Sequence, residues 1–372
     1  MISETGGVRP TVLILRTGQL GDTLVALPAI EAIRKKYPSH SLALLTDRQA
    51  TNLGYVSSWE VLGQTGWFDR VIYYDFNTTG LRRLKMLCKL LVELRELKAD
   101  HFFNLAPNRS RWQRAIDEWC FSVLAGARNY HPPAPLRLNA QPNLGLPWLE
   151  PEWSYLLQSV GAEESENFKF RLPIPEHERE LALRAAQTEG IDLGTRLLAV
   201  GPGSKMPAKK WPVERFAQLG TRLLKEFPDL RLVVLGGKED ISLGNDLCRT
   251  WGETAHTLAG SLTPYGSASI LEKCIAYVGN DTGTMHLAGM AGIPCVAIFS
   301  ARNSPGKWEP YGKGHIVLRH DVACAGCYLQ VCEQYDNECL KLITVDEVYA
   351  ATQGLIKSLE DVCMNKVKKR EA

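Results

Sequence analysis

The chain has 372 residues, 45% hydrophobic and 23% charged, too long for one ordinary core and suited to two domains of about 150–200 residues each. Its 43 basic and 41 acidic residues leave a net charge of +2, which argues against a dedicated nucleic-acid binder with its strongly basic domain or stripe. The opening MISETGGVRP has no apolar signal-peptide core and no stretch approaches the roughly 20 apolar residues of a membrane span, so a cytoplasmic chain is expected.

Val12-Leu13-Ile14-Leu15 is a continuous apolar run, the pattern of a buried parallel strand. It leads into the turn Thr17-Gly18-Gln19-Leu20-Gly21-Asp22. A helix follows, with Leu27, Ile30, Ile33 and Tyr37 spaced by three and four, ending at Pro38. Leu42 to Leu45 and Val71 to Tyr74 predict further strands, residues 81–98 an amphipathic helix, and Phe102 to Leu105 the next strand. Polar and proline-bearing sequence around 161–195, enclosing a helix Leu181 to Ala186, marks a linker region.

The second half restarts with Leu197 to Val200, a Gly-rich turn and a helix opening at Pro212. Leu230 to Leu235, a helix Pro264 to Cys274, a strand Ile275 to Gly279, a helix 284–291 and a strand Cys295 to Phe299 continue the alternation. The expected fold is α/β: two facing, Rossmann-like, doubly wound domains with a ligand cleft between them. The first is placed at 1–170, the linker at 171–195 and the second at 196–345. Residues 346–372 form a C-terminal helix and basic tail expected to pack back toward the first domain.

Three turns carry groups capable of chemistry. In the first, Gly18 and Gly21 permit a tight backbone, and Asp22, at the end of a central strand, is either a general base or a cap for the following helix. The spacing is not that of a dinucleotide fold, so hydride transfer is unsupported. In GPGSKMPAKKWPVERF, the amides near Gly201 and Gly203, the Ser204 hydroxyl, and Lys205, Lys209 and Lys210 suit a diphosphate; the competing reading is a solvated basic loop. Trp211 and Pro212 fix the start of a helix. In VGNDTGTMHLAGMAGIP, the strand ends at Asn280-Asp281-Thr282-Gly283 and a helix starts at once, its first amides favouring an anion. There Asp281 and Thr282 are alternatively caps, and His286 a core histidine.

Taken with PAKKWPVERF, VVLGGKED and KWEPYG, the stretches VLILRTGQLGDTLVALPAIEAIRKKYP and YVGNDTGTMHLAGMAGIPCVAIFS resemble glycosyltransferase family 9, the lipopolysaccharide heptosyltransferases and their relatives. The resemblance implies the GT-B architecture, an acceptor-binding first domain and a donor-binding second one. It also implies inverting transfer without a metal, from ADP-heptose to a lipopolysaccharide core or related surface glycan. It makes Asp22 the general base and puts Lys209 on the donor phosphate. Asp281, Thr282, Gly283 and His286 surround the donor, Ser204 supplies a hydroxyl, and Glu239 is the nearest match for the nucleoside contact. A sugar-nucleotide epimerase of the same architecture and a non-catalytic glycan-binding relative are the alternatives.

Cys324, Cys327, Cys332 and Cys339 place four thiols within 16 residues; four cysteines suit a tetrahedral structural zinc, although the spacings are not those of common zinc fingers, and reduced or disulfide-linked thiols are the alternatives. The helix at 81–98 sets Arg82, Arg83, Lys85, Lys89, Arg95 and Lys98 beside a leucine face, suited either to peripheral contact with an anionic inner membrane or to packing on its own sheet. Arg109, Arg111 and Arg114 follow the strand at 102–105. They and Gly21 are acceptor-binding candidates, with a solvated helix face as the competing reading for the arginines.

Overall fold

The apolar run at 12–15 forms strand β1 (Thr11–Leu15), buried at all five positions, as a parallel strand covered on both faces requires. The computed structural model describes residues 9–47, 56–75, 79–106, 126–132, 138–139, 146–163 and 169–371, with side chains described no further than residue 361. By its contacts the chain divides into two units: residues 1–136 with 152–170, and residues 137–151 with 171–372.

In the first unit β1 lies between β2 (Ser41–Asp47) and β4 (His101–Asn104). With β3 (Arg70–Tyr74) and β5 (Asn129–His131) they form a sheet ordered β3-β2-β1-β4-β5, parallel at every pairing. Leu13 and Leu15 join Ala43, Leu45, Ile72 and Phe102 in one core, closed by Leu90 and Leu94 of the helix Gly80–Leu97. Val12 and Ile14 alternate to the other face, and the helix Leu27–Lys36, which buries Leu27, Ile30 and Ile33, packs on the helix Glu152–Ser159. The strand order reverses between β1 and β4, the place where open α/β sheets bind ligands beyond the strands' carboxyl ends.

The second unit opens with a hairpin, β6 (Leu138–Asn139) against β7 (Trp148–Leu149). The Leu149 N–H donates to Pro305 O at 2.9 Å, so this piece belongs to the second unit although it falls within the span 1–170 assigned to the first domain. The main sheet holds β8 (Arg196–Gly201), β9 (Leu230–Val234), β10 (Ala255–Thr257), β11 (Cys274–Asn280), β12 (Cys295–Ile298) and β13 (Ile316–Leu318). Its order is β10-β9-β8-β11-β12-β13, again parallel, and it reverses between β8 and β11.

Two further boundaries differ from the sequence reading. Residues 171–195, read as a linker, contain the helix Glu176–Thr188, which buries Glu178, Ala182 and Ala186 and packs on the helix Pro264–Leu271. An Arg179–Glu272 ion pair ties it down, so it is an integral layer of the second unit. The C-terminal helix Val345–Glu371, read as packing back toward the first domain, contributes side chains to the core of the second unit. Val348, Leu355 and Ile356 join Trp211, Phe216, Val278 and Ile298 in the second core, because their i, i+7, i+8 spacing makes an apolar stripe that needs cover.

Candidate active site

Immediately after β1 stands Arg16, wholly buried. Its guanidinium donates to the main-chain oxygens of Leu105 and Asp22, bridging the two loops at the switch point of the first sheet. Burial holds its pKa below the usual arginine value, with the Asp22 and Glu152 carboxylates opposing. Gly18 has φ +116°, in the region that favours glycine, and a Cβ there would lie 2.7 Å from the Asp22 side chain. Its N–H donates to Asp47 Oδ1 at 3.2 Å.

Asp22 is half-buried and occupies the third position of a short helix, Leu20–Leu24. Its Oδ2 accepts the Gln19 N–H at 3.0 Å. The two readings of this residue are therefore not exclusive. It caps a one-turn helix that precedes the main one, and that cap fixes the orientation of a partly solvated carboxylate. Gly21 is half-buried beside it. Arg109, Arg111 and Arg114 lie outside the described residues.

In the second unit Asn280, the last residue of β11, is fully buried. Its Oδ1 accepts the Trp211 N–H at 3.1 Å and its Nδ2 donates to Pro202 O at 2.7 Å. One carboxamide thus pins the loop after β8 and the loop carrying Lys209 to the end of β11. Asp281 follows, 4% exposed, and takes Lys209 Nζ at 2.7 Å, itself 14% exposed.

Thr282 is extended at the N-cap of the helix Gly283–Ala291 and makes no side-chain cap bond. The first-turn amides, from Gly283 onward, have no intrahelical acceptor by construction. One turn in, His286 is buried and its Nδ1 has no hydrogen-bond partner among the described residues. Burial pushes its pKa down to about 4, with Asp281 raising and Lys209 lowering it. It is a neutral imidazole at pH 7 with an unsatisfied polar atom, a costly arrangement unless a ligand completes it. Lysine, helix amides and imidazole thus gather at one end of β11, with the Lys209 charge balanced by Asp281 and the helix dipole favouring an anion at its N-terminus.

The glycines of GPGS have a second explanation. A Cβ on Gly203 would fall 2.2 Å from the Asp240 carboxyl, and one on Gly201 1.9 Å from the Tyr277 hydroxyl. Ser204 is buried and its Oγ accepts the Met206 N–H at 3.2 Å, which leaves its proton free to donate. Glu239, named from the sequence, is exposed, whereas its neighbour Asp240 is buried. Asp240 Oδ2 accepts the Gly237 N–H at 3.0 Å. Burial raises its pKa, the Gly237 bond opposing it. Sequence reading missed Asp240; the signal was its place three residues after Gly237, where a carboxylate caps the turn.

The four clustered cysteines are free, half-buried thiols that line one small cavity with Ala208, Ala301 and Arg302. No three of the described His, Cys, Asp or Glu side chains are placed to hold a metal, so they give no support to a structural zinc. Burial, together with the neighbouring sulfurs, raises the pKa of both Cys324 and Cys339. The segment docks on the Lys209 turn where the Ala208 N–H donates to Gln330 O at 3.0 Å.

Two doubly wound parallel sheets, each with polar groups gathered where its strand order reverses, define an α/β protein of the GT-B class. The family model of glycosyltransferase family 9 (heptosyltransferase) matches residues 152–336, just under half of the chain, and over that span the chain is similar to that family. Lipopolysaccharide heptosyltransferase 1 of Pseudomonas aeruginosa is 28% identical over 166 residues, 45% of this chain and 46% of that protein. Lipooligosaccharide heptosyltransferase 2 of Campylobacter jejuni is 25% identical over 170 residues, 44% and 52% respectively. The chain thus spans about half the length of these curated relatives. Among solved structures, the glycosyl transferase family 9 protein of Veillonella parvula superposes with a TM-score of 0.68 at 20% identity, covering 94% of this chain and 97% of that one. The ADP-heptose lps heptosyltransferase II of E. coli gives 0.65 at 17%, covering 94% and 99%. At these identities the likeness is one of fold.

Proposed function

We propose that the protein is an inverting, metal-independent glycosyltransferase that moves a heptose from ADP-heptose to a lipopolysaccharide core or related surface-glycan acceptor. The Lys209–Asp281 pair, set beside an uncapped helix N-terminus and the unpartnered His286 Nδ1, carries this reading. Such a group of donors meets the charge that grows on a departing diphosphate and needs no divalent ion to do so. The relatives' names supply the sugar: two curated relatives are heptosyltransferases, and one structural neighbour is named for ADP-heptose.

In this reading Asp22 accepts the proton of an acceptor hydroxyl. The freed oxygen pair forms the new bond to the anomeric carbon on the face opposite the diphosphate, and the bond to the diphosphate breaks toward ADP. Lys209, the Ser204 hydroxyl and the amides of Gly283 and Thr284 hold the leaving group, with Asp281 and Thr282 shaping the turn and His286 beneath it. Glu239, exposed after β9, is the nucleoside contact. Gly21, with Arg109, Arg111 and Arg114, serves an acceptor that resides in a membrane on whose cytoplasmic face the enzyme works.

Release of ADP from ADP-heptose, with and without the acceptor glycolipid and with and without EDTA, tests the proposal. Acceptor-dependent ADP release that EDTA leaves unchanged is expected. Conversion of the donor sugar without ADP release points instead to an epimerase, and binding without turnover to a glycan-binding relative. Loss of rate in EDTA with recovery in Mg²⁺ overturns the metal-free step.

A further inference from the structure

The helix Gly80–Leu97 buries only Leu90 and Leu94, with Met86 and Leu97 packed partly against the same core. At 3.6 residues per turn these four share one side. The remaining apolar residues, half-buried Leu91 among them, spread from Leu87 at the edge of that side round to the opposite side. Leu81, Leu84, Leu87, Cys88 and Val92 form a continuous face, with Leu81 78% and Leu84 59% exposed. The helix therefore has two apolar faces, one committed to the core of the first unit and one open.

Charge is distributed with equal asymmetry. Between Gly80 and Val92 the sequence has Arg82, Arg83, Lys85 and Lys89 and no acidic residue. On the helical projection Arg82, Lys85 and Lys89 form a band directly beside the open apolar face; Glu93, paired with Arg70, and Glu96 join that band only in the last turns of the helix. A leucine face flanked by cations is the surface of a helix lying in the plane of a bilayer interface, its apolar side chains among the acyl chains and its cations on anionic headgroups. A second copy of the chain is a poor occupant, because apposing two such faces brings two sets of cations together. No helix among the described residues is long and apolar enough to cross a membrane, which agrees with a surface-bound element.

We infer that the open face of the helix Gly80–Leu97 is a docking surface for an anionic lipid bilayer, with Leu81, Leu84, Leu87 and Val92 inserted and Arg82, Lys85 and Lys89 on the headgroups. This surface deepens the membrane contact proposed above by giving it residues, and its test does not depend on turnover. The full chain is sedimented with vesicles of phosphatidylglycerol and phosphatidylcholine, and with phosphatidylcholine alone. The variants are Leu81→Ser/Leu84→Ser/Val92→Thr and Arg82→Gln/Lys85→Gln/Lys89→Gln, all at exposed positions. Binding to the anionic vesicles alone is expected. The apolar variant loses it by about tenfold or more, and the charge variant by about fivefold per cation, both with an unchanged unfolding temperature. Absence of binding by the parent chain overturns the inference, as does an apolar variant that binds undiminished. So does a dimer in the parent chain that Leu81→Ser dissolves. Turnover on a water-soluble acceptor, read on the same samples, reports separately on the transferase reading.

Discussion

Replacing Lys209 by alanine separates the ion pair it makes with Asp281 from the diphosphate contact proposed above. Asp281, 4% exposed, would lose the cation 2.7 Å away, and stripping one partner from a fully buried pair costs about 3–5 kcal/mol. Lys209 is 14% exposed, so water recovers part of this and a loss of about 2–3 kcal/mol is expected. For a unit of 150–250 residues that is a fall of roughly 4–12 °C in unfolding temperature. Adding Asp281→Asn removes the stranded charge, so the double variant regains most of the stability. It does not regain affinity for ADP, because the diphosphate still lacks its lysine. Thermal unfolding with and without ADP, and calorimetric titration of ADP, read the two quantities independently. Lys205→Ala and Lys210→Ala, both at exposed positions, are the controls, and any effect they have should fade at about 0.5 M salt. Should the double variant recover ADP binding together with stability, Lys209 serves only to neutralise Asp281. Should the single variant leave both unchanged, the diphosphate contact is misassigned.

Asp22→Asn keeps an oxygen for the Gln19 N–H, so the short helix stays capped, while Arg16 loses one of the two carboxylates that offset its burial and the unfolding temperature falls slightly. Transfer should fall by about 10²–10⁴-fold, and activity within tenfold of the parent would remove Asp22 as the base. Gly203→Ala drives a methyl into the Asp240 carboxyl and should cost about 1–3 kcal/mol; a neutral effect in urea unfolding means the glycine is not needed for this approach. Acid should weaken the fold. Burial lowers the proton affinities of His101 and His131, whose rings share one hydrogen bond at 3.0 Å, and that of His286. Each depressed group contributes its full stability above the unfolded value near 6.5 and loses it as pH falls below that. For His286, with a native value of about 4, the loss by pH 4 is about 3 kcal/mol. His286→Gln should flatten the slope of unfolding temperature against pH between 6.5 and 4.5, and an identical slope in parent and variant contradicts the assignment.

Central strands were legible because burial on both faces writes itself as an unbroken apolar run: β1, β8 and β12 lie where Val12, Leu197 and Cys295 begin such runs. Helix ends were blurred where a signal is shared. Cys274, read as the end of a helix, is the first residue of β11, since a buried strand and a buried helix end are both apolar. The site was legible at residues whose chemistry is local, such as Asp281 at the head of its helix. It was illegible where partners are distant in sequence. Nothing near Arg16 announces that a charged side chain is sealed in to hold Leu105 and Asp22, and Asn280 gains its role only when Pro202 and Trp211 arrive. The open face of the helix Gly80–Leu97 had a related cause. Leucines on all sides of a helix look like one amphipathic stripe until a core covers only some of them.

The hairpin β6–β7 gives synthesis an awkward schedule. Leu149 and Trp148 leave the ribosome among residues of the first unit, yet their partners are Pro305, Gly306 and Glu309, some 150 positions later. At about 5–20 residues per second the piece waits roughly 8–30 s for them. During that time an indole that later packs against Gly306 has no native cover, and the first unit must condense around an excursion it does not own. Closing a loop of such length adds little to the equilibrium cost, since that cost grows only with the logarithm of length, but it does delay completion. The backbone therefore passes from one unit to the other three times, and neither unit can be excised as one continuous stretch of chain without taking a foreign segment or leaving its own behind.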